Sequence, residues 1–237
     1  MTNDNVDITI LQQQAKVRQE IEAAITQMFA PEDKGLHNAI VAGKKAGLPA
    51  IQISPIEGKL LQLLATACNA RKILEIGSLA GYSGIWLARA LPAGGRLISL
   101  EISPKHAEII RSSFSRAGVG DRTEVRVGKA LDLLPHLISE APFDLIFIDA
   151  DKAPYAQYLD WAMQLSRPGS IIVADNCIRE GRALREAENI DADTAGPLQY
   201  NKRASSDPRL MSIALPIDTG STDGFTISVV LPEHRES

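Results

Sequence analysis

The chain has 237 residues, of which 45% are hydrophobic and 23% charged, with a net charge of -4. This globular composition excludes a disordered or collagen-like chain. Without an excess of Lys and Arg to meet phosphates, it also argues against a nucleic-acid or membrane-surface partner.

Two cysteines, Cys68 and Cys177, and four scattered histidines, His37, His106, His136 and His234, form neither a disulfide framework nor a zinc quartet. The polar start lacks a basic segment followed by an apolar run. No apolar stretch approaches the roughly 20 residues of a membrane span, so a cytoplasmic protein is expected. Ile10, Val17, Ile21, Ala24, Ile25 and Met28 recur at helical spacing and predict a helix over 8–29. A break at Ala30-Pro31-Glu32-Asp33 precedes a shorter helix over 36–45. These helices are expected to pack on the main unit, or to form a lid or a dimer contact. Ser54-Pro55-Ile56-Glu57 reads as a capping box with proline at the first helical position, opening an apolar helix through Leu60, Leu61, Leu64 and Ala67.

Beyond it, strands at 72–76, 96–101, 123–127, 143–150 and 170–175 alternate with helices at 82–91, 104–117, 130–138 and 154–165. Such alternation predicts a parallel sheet covered on both faces. Two last strands, at 210–216 and 225–231, have no helix between them and are expected to pair as an antiparallel hairpin at one edge. The stretch 183–207 follows no pattern that assigns it a role.

In an open parallel sheet, ligands bind beyond the carboxyl ends of the strands. Those ends carry Glu75 and the loop Gly77 to Ser83, then Glu101, then Gly128-Lys129-Ala130, then Asp149-Ala150-Asp151-Lys152, and lastly Asp175-Asn176. Gly77 and Gly81 suit a tight turn that a ligand approaches closely, and the helix start at Tyr82-Ser83 offers N–H groups to an anion. The same glycines also suit a closely packed turn with no ligand, and their spacing is not G-x-G-x-x-G. Glu101 fits the two hydroxyls of a ribose, or is a helix-flanking charge. If the fourth and fifth strands adjoin, about 4.8 Å apart, Asp149 and Asp175 end side by side with Asn176. Two carboxylates and an amide oxygen repel unless a cation joins them, and all-oxygen donors call for Mg²⁺, Ca²⁺ or Mn²⁺. The alternative is that both aspartates are caps or turn residues. Lys152 is either a surface lysine paired with Asp151 or a base beside the metal, where partial desolvation suits a lysine to take a proton near neutral pH.

Taken together, ILEIGSLAGYSGIWLA, ISLEIS, VGKALD, FIDADKAPYAQY and IIVADNCIREG resemble the small cation-dependent O-methyltransferases that use S-adenosylmethionine, the catechol and caffeoyl-CoA O-methyltransferase-like enzymes of bacterial type. The resemblance spans 51–182 and continues weakly to Asp223-Gly224-Phe225. It implies an α/β fold, Rossmann-like, with a seven-stranded, mostly parallel sheet, a C-terminal antiparallel hairpin, helices on both faces and extra N-terminal helices. One domain over 1–237 is expected, with a helical extension at 1–50 and the catalytic core at 51–237.

By the same resemblance, Gly77, Tyr82 and Ser83, with the backbone near Ile53, hold the methionine end of the cofactor, and Glu75 also binds it. Glu101 binds the ribose, Gly128 and Ala130 flank the adenine, and Asp149 borders the cofactor too. Asp149, Asp175 and Asn176 are the implied metal ligands. Lys152 is the implied base or catecholate stabiliser, acting with Asp149, and Lys152 and Tyr155 meet the substrate. The implied reaction methylates a hydroxyl of a vicinal-dihydroxy phenolic small molecule, in a homodimer. Three alternatives stay open: a non-catalytic S-adenosylmethionine binder, a methyltransferase for a non-phenolic hydroxyl, and a nucleotide-dependent oxidoreductase, which the glycine spacing disfavours.

Overall fold

The computed structural model describes residues 3–186, 189–218 and 222–232. The side chain of Ile10, the hairpin tip at 219–221 and His234 fall outside that description.

Three helices come first: α1 (Asn3–Phe29), α2 (Lys34–Lys45) and α3 (Pro55–Ala67). Asp33 caps α2 by accepting from the Leu36 amide at 3.0 Å. The capping box of α3 forms as read: Glu57 Oε2 accepts from the Ser54 amide at 2.7 Å, and Ser54 Oγ from the Glu57 amide at 3.3 Å. Then β1 (Lys72–Ile76), α4 (Tyr82–Ala90), β2 (Arg96–Glu101), α5 (Pro104–Arg116), β3 (Thr123–Val127), α6 (Ala130–Leu133), β4 (Leu145–Ile148), α7 (Tyr155–Gln164) and β5 (Ile171–Ala174) alternate. The chain continues through α8 (Ala192–Ser206), β6 (Leu210–Asp218) and β7 (Thr222–Val230).

The seven strands form one sheet in the order β3-β2-β1-β4-β5-β7-β6. Strands β1 to β5 run parallel, and β7 pairs antiparallel with both β5 and β6. The expected α/β architecture and its edge hairpin are therefore present. Central strands lie between two cores, which is why β4 reads Leu-Ile-Phe-Ile without polar alternation. Leu145 and Phe147 pack with Leu36, Leu61 and Trp86 on one face. Ile146 and Ile148 pack with Tyr158, Leu159 and Tyr200 on the other. The chain leaves β1 toward β2 on one side and has β4 on the other, so a crevice opens between the carboxyl ends of β1 and β4.

Four elements differ from the sequence expectation. The helix expected over 130–138 is α6 followed by a 3₁₀ turn, Leu134–Glu140; Pro135 has no N–H to give the α ladder. The strand expected from 143 starts at Leu145, because Asp144 turns its carboxylate back onto the Arg71 and Lys72 amides at 2.8 and 3.0 Å. The unassigned stretch holds α8, capped by Asp191, which accepts from the Thr194 amide at 2.8 Å. Gly196 and Pro197 disguise that helix. Gly196 is needed there, since an added Cβ would lie 1.9 Å from the Lys152 carbonyl oxygen. Finally, α1 does not bury its apolar stripe: Val17, Ile21 and Met28 are 47%, 53% and 72% exposed. Among the described residues, no helix is long and apolar enough to cross a membrane.

Candidate active site

Gly77 ends β1 with φ +89, and a Cβ there would lie 2.0 Å from the Asp149 carbonyl oxygen. The positive φ and the contact both require glycine, and this close approach brings the two strand ends together. Beyond them opens a cleft of about 760 Å³ lined by Ile53, Gly77, Tyr82, Ser83, Glu101, Gly128, Ala130, Asp149, Lys152 and Asn176. That volume suits a cofactor-sized ligand. Glu101 at the end of β2 is buried and held before any ligand arrives. It accepts from the Leu79 and Ser103 amides at 3.3 and 3.0 Å, and His106 Nδ1 lies 3.3 Å away. Tyr82 donates its hydroxyl to Glu32 Oε1 at 2.8 Å, tying the α1–α2 junction to the glycine loop.

Two of the residues picked out from the sequence lie behind this wall. Glu75 is fully buried under the loop, where Oε1 accepts from the Ser83 hydroxyl and Oε2 from the Ser99 hydroxyl, both at 2.6 Å. Burial raises its carboxyl pKa, against the pull of those hydrogen bonds. Its place is that of a support for Ser83 and not a ligand-facing one. Tyr155, expected at the substrate, is likewise fully buried. Its hydroxyl accepts from Lys152 Nζ at 2.7 Å, and Nζ stands 5.0 Å from its ring centroid. The side chain therefore holds Lys152 from below. The helix period explains this: as the first residue of α7, Tyr155 faces the sheet with Tyr158 and Leu159.

The fourth and fifth strands adjoin, with Ile148 paired to Ala174. Asp149 and Asp175 therefore follow at neighbouring ends. Asp175 is 6% exposed, and burial, then the charges of Asp149 and Glu57, hold its carboxyl well above the usual range. Asn176 adopts φ +54 and donates Nδ2 to Asp223 Oδ2 at 3.2 Å, leaving its Oδ1 available. Lys152 Nζ reaches Asp149 Oδ1 at 2.8 Å, so the lysine pairs with Asp149 and not Asp151. Asp151 instead accepts from the Tyr158 hydroxyl at 2.5 Å. Among the described residues no group of three or more His, Cys, Asp or Glu gathers as a metal site. The set here is two carboxylates and an amide oxygen. Such oxygen donors at neighbouring strand ends suit a hard divalent cation.

A second hollow of about 480 Å³ adjoins the cleft, sharing Ile53, Tyr82 and Asn176 and adding Asp175. Its far wall comes from the N-terminal helices and the hairpin: Glu22, Glu32, Ile40, Glu57 and Asp223. Asp223 has no role assigned by the sequence pattern. Its Oδ1 accepts from the Ile178, Arg179 and Gly224 amides at 3.1, 2.9 and 2.9 Å, pinning the loop that carries Asn176. Its only signal was the weak match at Asp223-Gly224-Phe225. Glu57 was read as a cap alone, although burial, followed by Asp149 and Asp223, pushes its carboxyl up. Arg179, three residues past Asn176, lines the larger cleft without having been singled out.

The sequence model of a family described as O-methyltransferase matches residues 28–228. The catechol O-methyltransferase of Niastella koreensis is 44% identical over 218 residues, covering 91% of this chain and 98% of that protein. A solved O-methyltransferase from Bacillus cereus in complex with SAH superposes with a TM-score of 0.85 at 43% identity, covering 89% of this chain and 97% of the other. An O-methyltransferase from Streptomyces achromogenes involved in tomaymycin synthesis, in complex with SAM, gives a TM-score of 0.85 at 38% identity, covering 90% and 96%.

Proposed function

The chain belongs to the O-methyltransferase family, and from that premise we propose that it moves a methyl group from S-adenosylmethionine to one hydroxyl of a vicinal-dihydroxy phenolic small molecule, of catechol or caffeoyl type, with a divalent cation. The observation that carries this reading is the meeting of Asp149, Lys152 and Asn176 in the larger cleft with Asp175 in the adjoining hollow. The cleft takes the cofactor, with Glu101 at the ribose and the loop Gly77 to Ser83 at the methionine end. The acceptor binds where the hollow meets the cleft, at Asn176.

Asp149, Asp175 and Asn176 Oδ1 would hold the cation; their hard oxygens suit Mg²⁺, taken first, and Ca²⁺ or Mn²⁺ as well. A bound divalent cation supplies Lewis acidity that makes a phenolic hydroxyl a stronger acid, as it does for water. Lys152 Nζ, fixed between Asp149 and Tyr155, takes the hydroxyl proton as the free amine or, as the ammonium of its pair with Asp149, stabilises the phenolate. Gly77 keeps the two strand ends in contact, so cofactor and acceptor meet at a set distance. The test is transfer of labelled methyl from S-adenosylmethionine to catechol, with phenol as the control lacking the second hydroxyl. Label on catechol and none on phenol is expected; no transfer to catechol sinks the reading.

The chain acts as one catalytic domain, in the cytoplasm and as a homodimer. Both cysteines are free, which fits a reducing compartment. Exposed apolar residues on α1 (Val17, Ile21, Met28), α3 (Leu63) and the edge strand β6 (Met211, Ile213) support the dimer. Sedimentation equilibrium is expected to give twice the chain mass; a monomer at micromolar concentration argues against it.

A further inference from the structure

Arg179 sits in the loop after β5, three residues beyond Asn176, and lines the larger cleft beside Asp149, Lys152 and Asn176. Its backbone is held in a conformation that L-residues avoid: Arg179, Glu180 and Gly181 have φ of +48, +57 and +80 in succession. Such strain persists where the surroundings over-determine it, and it gathers at ligand sites. Here the surroundings are Asp223, whose carboxylate takes the Arg179 amide at 2.9 Å, and Arg182, whose Nε donates to the Arg179 carbonyl at 3.3 Å. The backbone is anchored, but the side chain is not. Nε of Arg179 is buried with no hydrogen-bond partner, and the guanidinium feels the charge of Asp191 without a direct hydrogen bond to it. A buried donor left unmade is costly, and a planar guanidinium matches a carboxylate through two parallel hydrogen bonds.

We propose that Arg179 is a specificity residue that takes a carboxylate on the acceptor, so that this enzyme acts on dihydroxyaryl carboxylates in preference to neutral catechols. The inference rests on the catechol-type reading above and names the acceptor class within it. The charges around the site fit. With the two hydroxyls at Asp149, Asp175 and Asn176, the ring substituent points either to the hollow or to Arg179. The hollow presents Glu22, Glu32, Glu57 and Asp223 and repels an anion. Glu32 and Glu57 already receive the Tyr82 hydroxyl and the Ser54 amide, whereas Nε of Arg179 has no partner. Holding the carboxylate on one side also decides which hydroxyl faces the methyl donor.

The experiment compares 3,4-dihydroxybenzoate with its neutral isostere 3,4-dihydroxybenzamide in the full-length protein with Mg²⁺. Turnover and regiochemistry are followed with S-adenosylmethionine, and binding by calorimetry with S-adenosylhomocysteine. The acid is expected to show a KM and a Kd about tenfold below those of the amide, as a charge-assisted hydrogen bond provides. Arg179→Gln removes that difference by weakening the acid alone and brings the ratio of 3-O to 4-O product toward unity; Arg179→Lys restores part of it. Equal affinity for acid and amide in the wild type overturns the proposal. So does an equal loss for both in a folded Arg179→Gln, or a change in cofactor Kd, which would assign the guanidinium to the cofactor. If neither compound nor catechol is methylated while the acid still binds more tightly through Arg179, the reaction reading fails and the carboxylate site stands.

Discussion

Excess EDTA is expected to reduce methyl transfer to catechol by about a hundredfold or more, and Mg²⁺ to restore it, since the cation supplies both the alignment of the two hydroxyls and the acidity of the reacting one. Full activity in EDTA would remove Asp149, Asp175 and Asn176 from the role of ligands. The same residues predict a stability effect with a definite sign. Burial, then the charges of Asp149 and Glu57, raise the folded-state pKa of Asp175. The metal-free folded chain therefore binds a proton more tightly than the unfolded chain. That contribution is fully present below the ordinary carboxylate range and is lost as pH rises through the raised value. The melting temperature without metal is expected to fall with rising pH across this window, and the gain on adding Mg²⁺ to grow. A metal-free melting curve that is flat or rises over the same range would contradict the raised pKa of this buried carboxylate, which burial lifts despite the pull of Lys152 and the Asn176 amide.

Lys152→Met is expected to lower kcat by about 10²–10⁴-fold, the usual worth of a positioned proton acceptor, while the Kd of the cofactor stays within a factor of two. Loss of cofactor binding in a folded variant would place Lys152 in cofactor binding instead. Tyr155→Phe serves as the comparison. It removes the hydroxyl that meets Nζ at 2.7 Å and keeps the ring under the lysine. A loss of about tenfold in kcat with KM unchanged is expected from a residue that only holds the base. An effect as large as that of Lys152→Met would make the hydroxyl part of the chemistry.

The site divides into what neighbouring residues reveal and what distant ones decide. Asp149 with Lys152 and Asp175 with Asn176 were legible because each pair is adjacent or nearly so in the chain and ends an apolar strand. That the pairs meet depends on β4 lying next to β5, a matter of sheet order. Glu75 and Tyr155 are harder to place from sequence for a related reason. A charged or phenolic residue at a strand end or helix start looks exposed until its partners are known, and those partners, Ser83 and Ser99 for one and Lys152 for the other, come from other elements or the far side of a turn. Helix α8 was hidden because Gly196 and Pro197 break helical expectation, and only its packing on the Lys152 backbone explains the glycine.

The amino-acid sequence by itself determined the α/β class, the alternation of strands and helices, the capping box at Ser54 and the row of polar residues at the strand ends. These follow from hydrophobic period, backbone preference and local hydrogen bonding, all of which act within a few residues. Only the tertiary structure decided which of those polar residues face the cleft, that Asp223 pins the Asn176 loop, that the N-terminal helices wall the second hollow, and that Arg179 lines the larger cleft with a buried, unmatched donor. Those outcomes depend on contacts between residues far apart in the chain, where burial, and not residue type, determines whether a charge is a support, a ligand or a waiting partner.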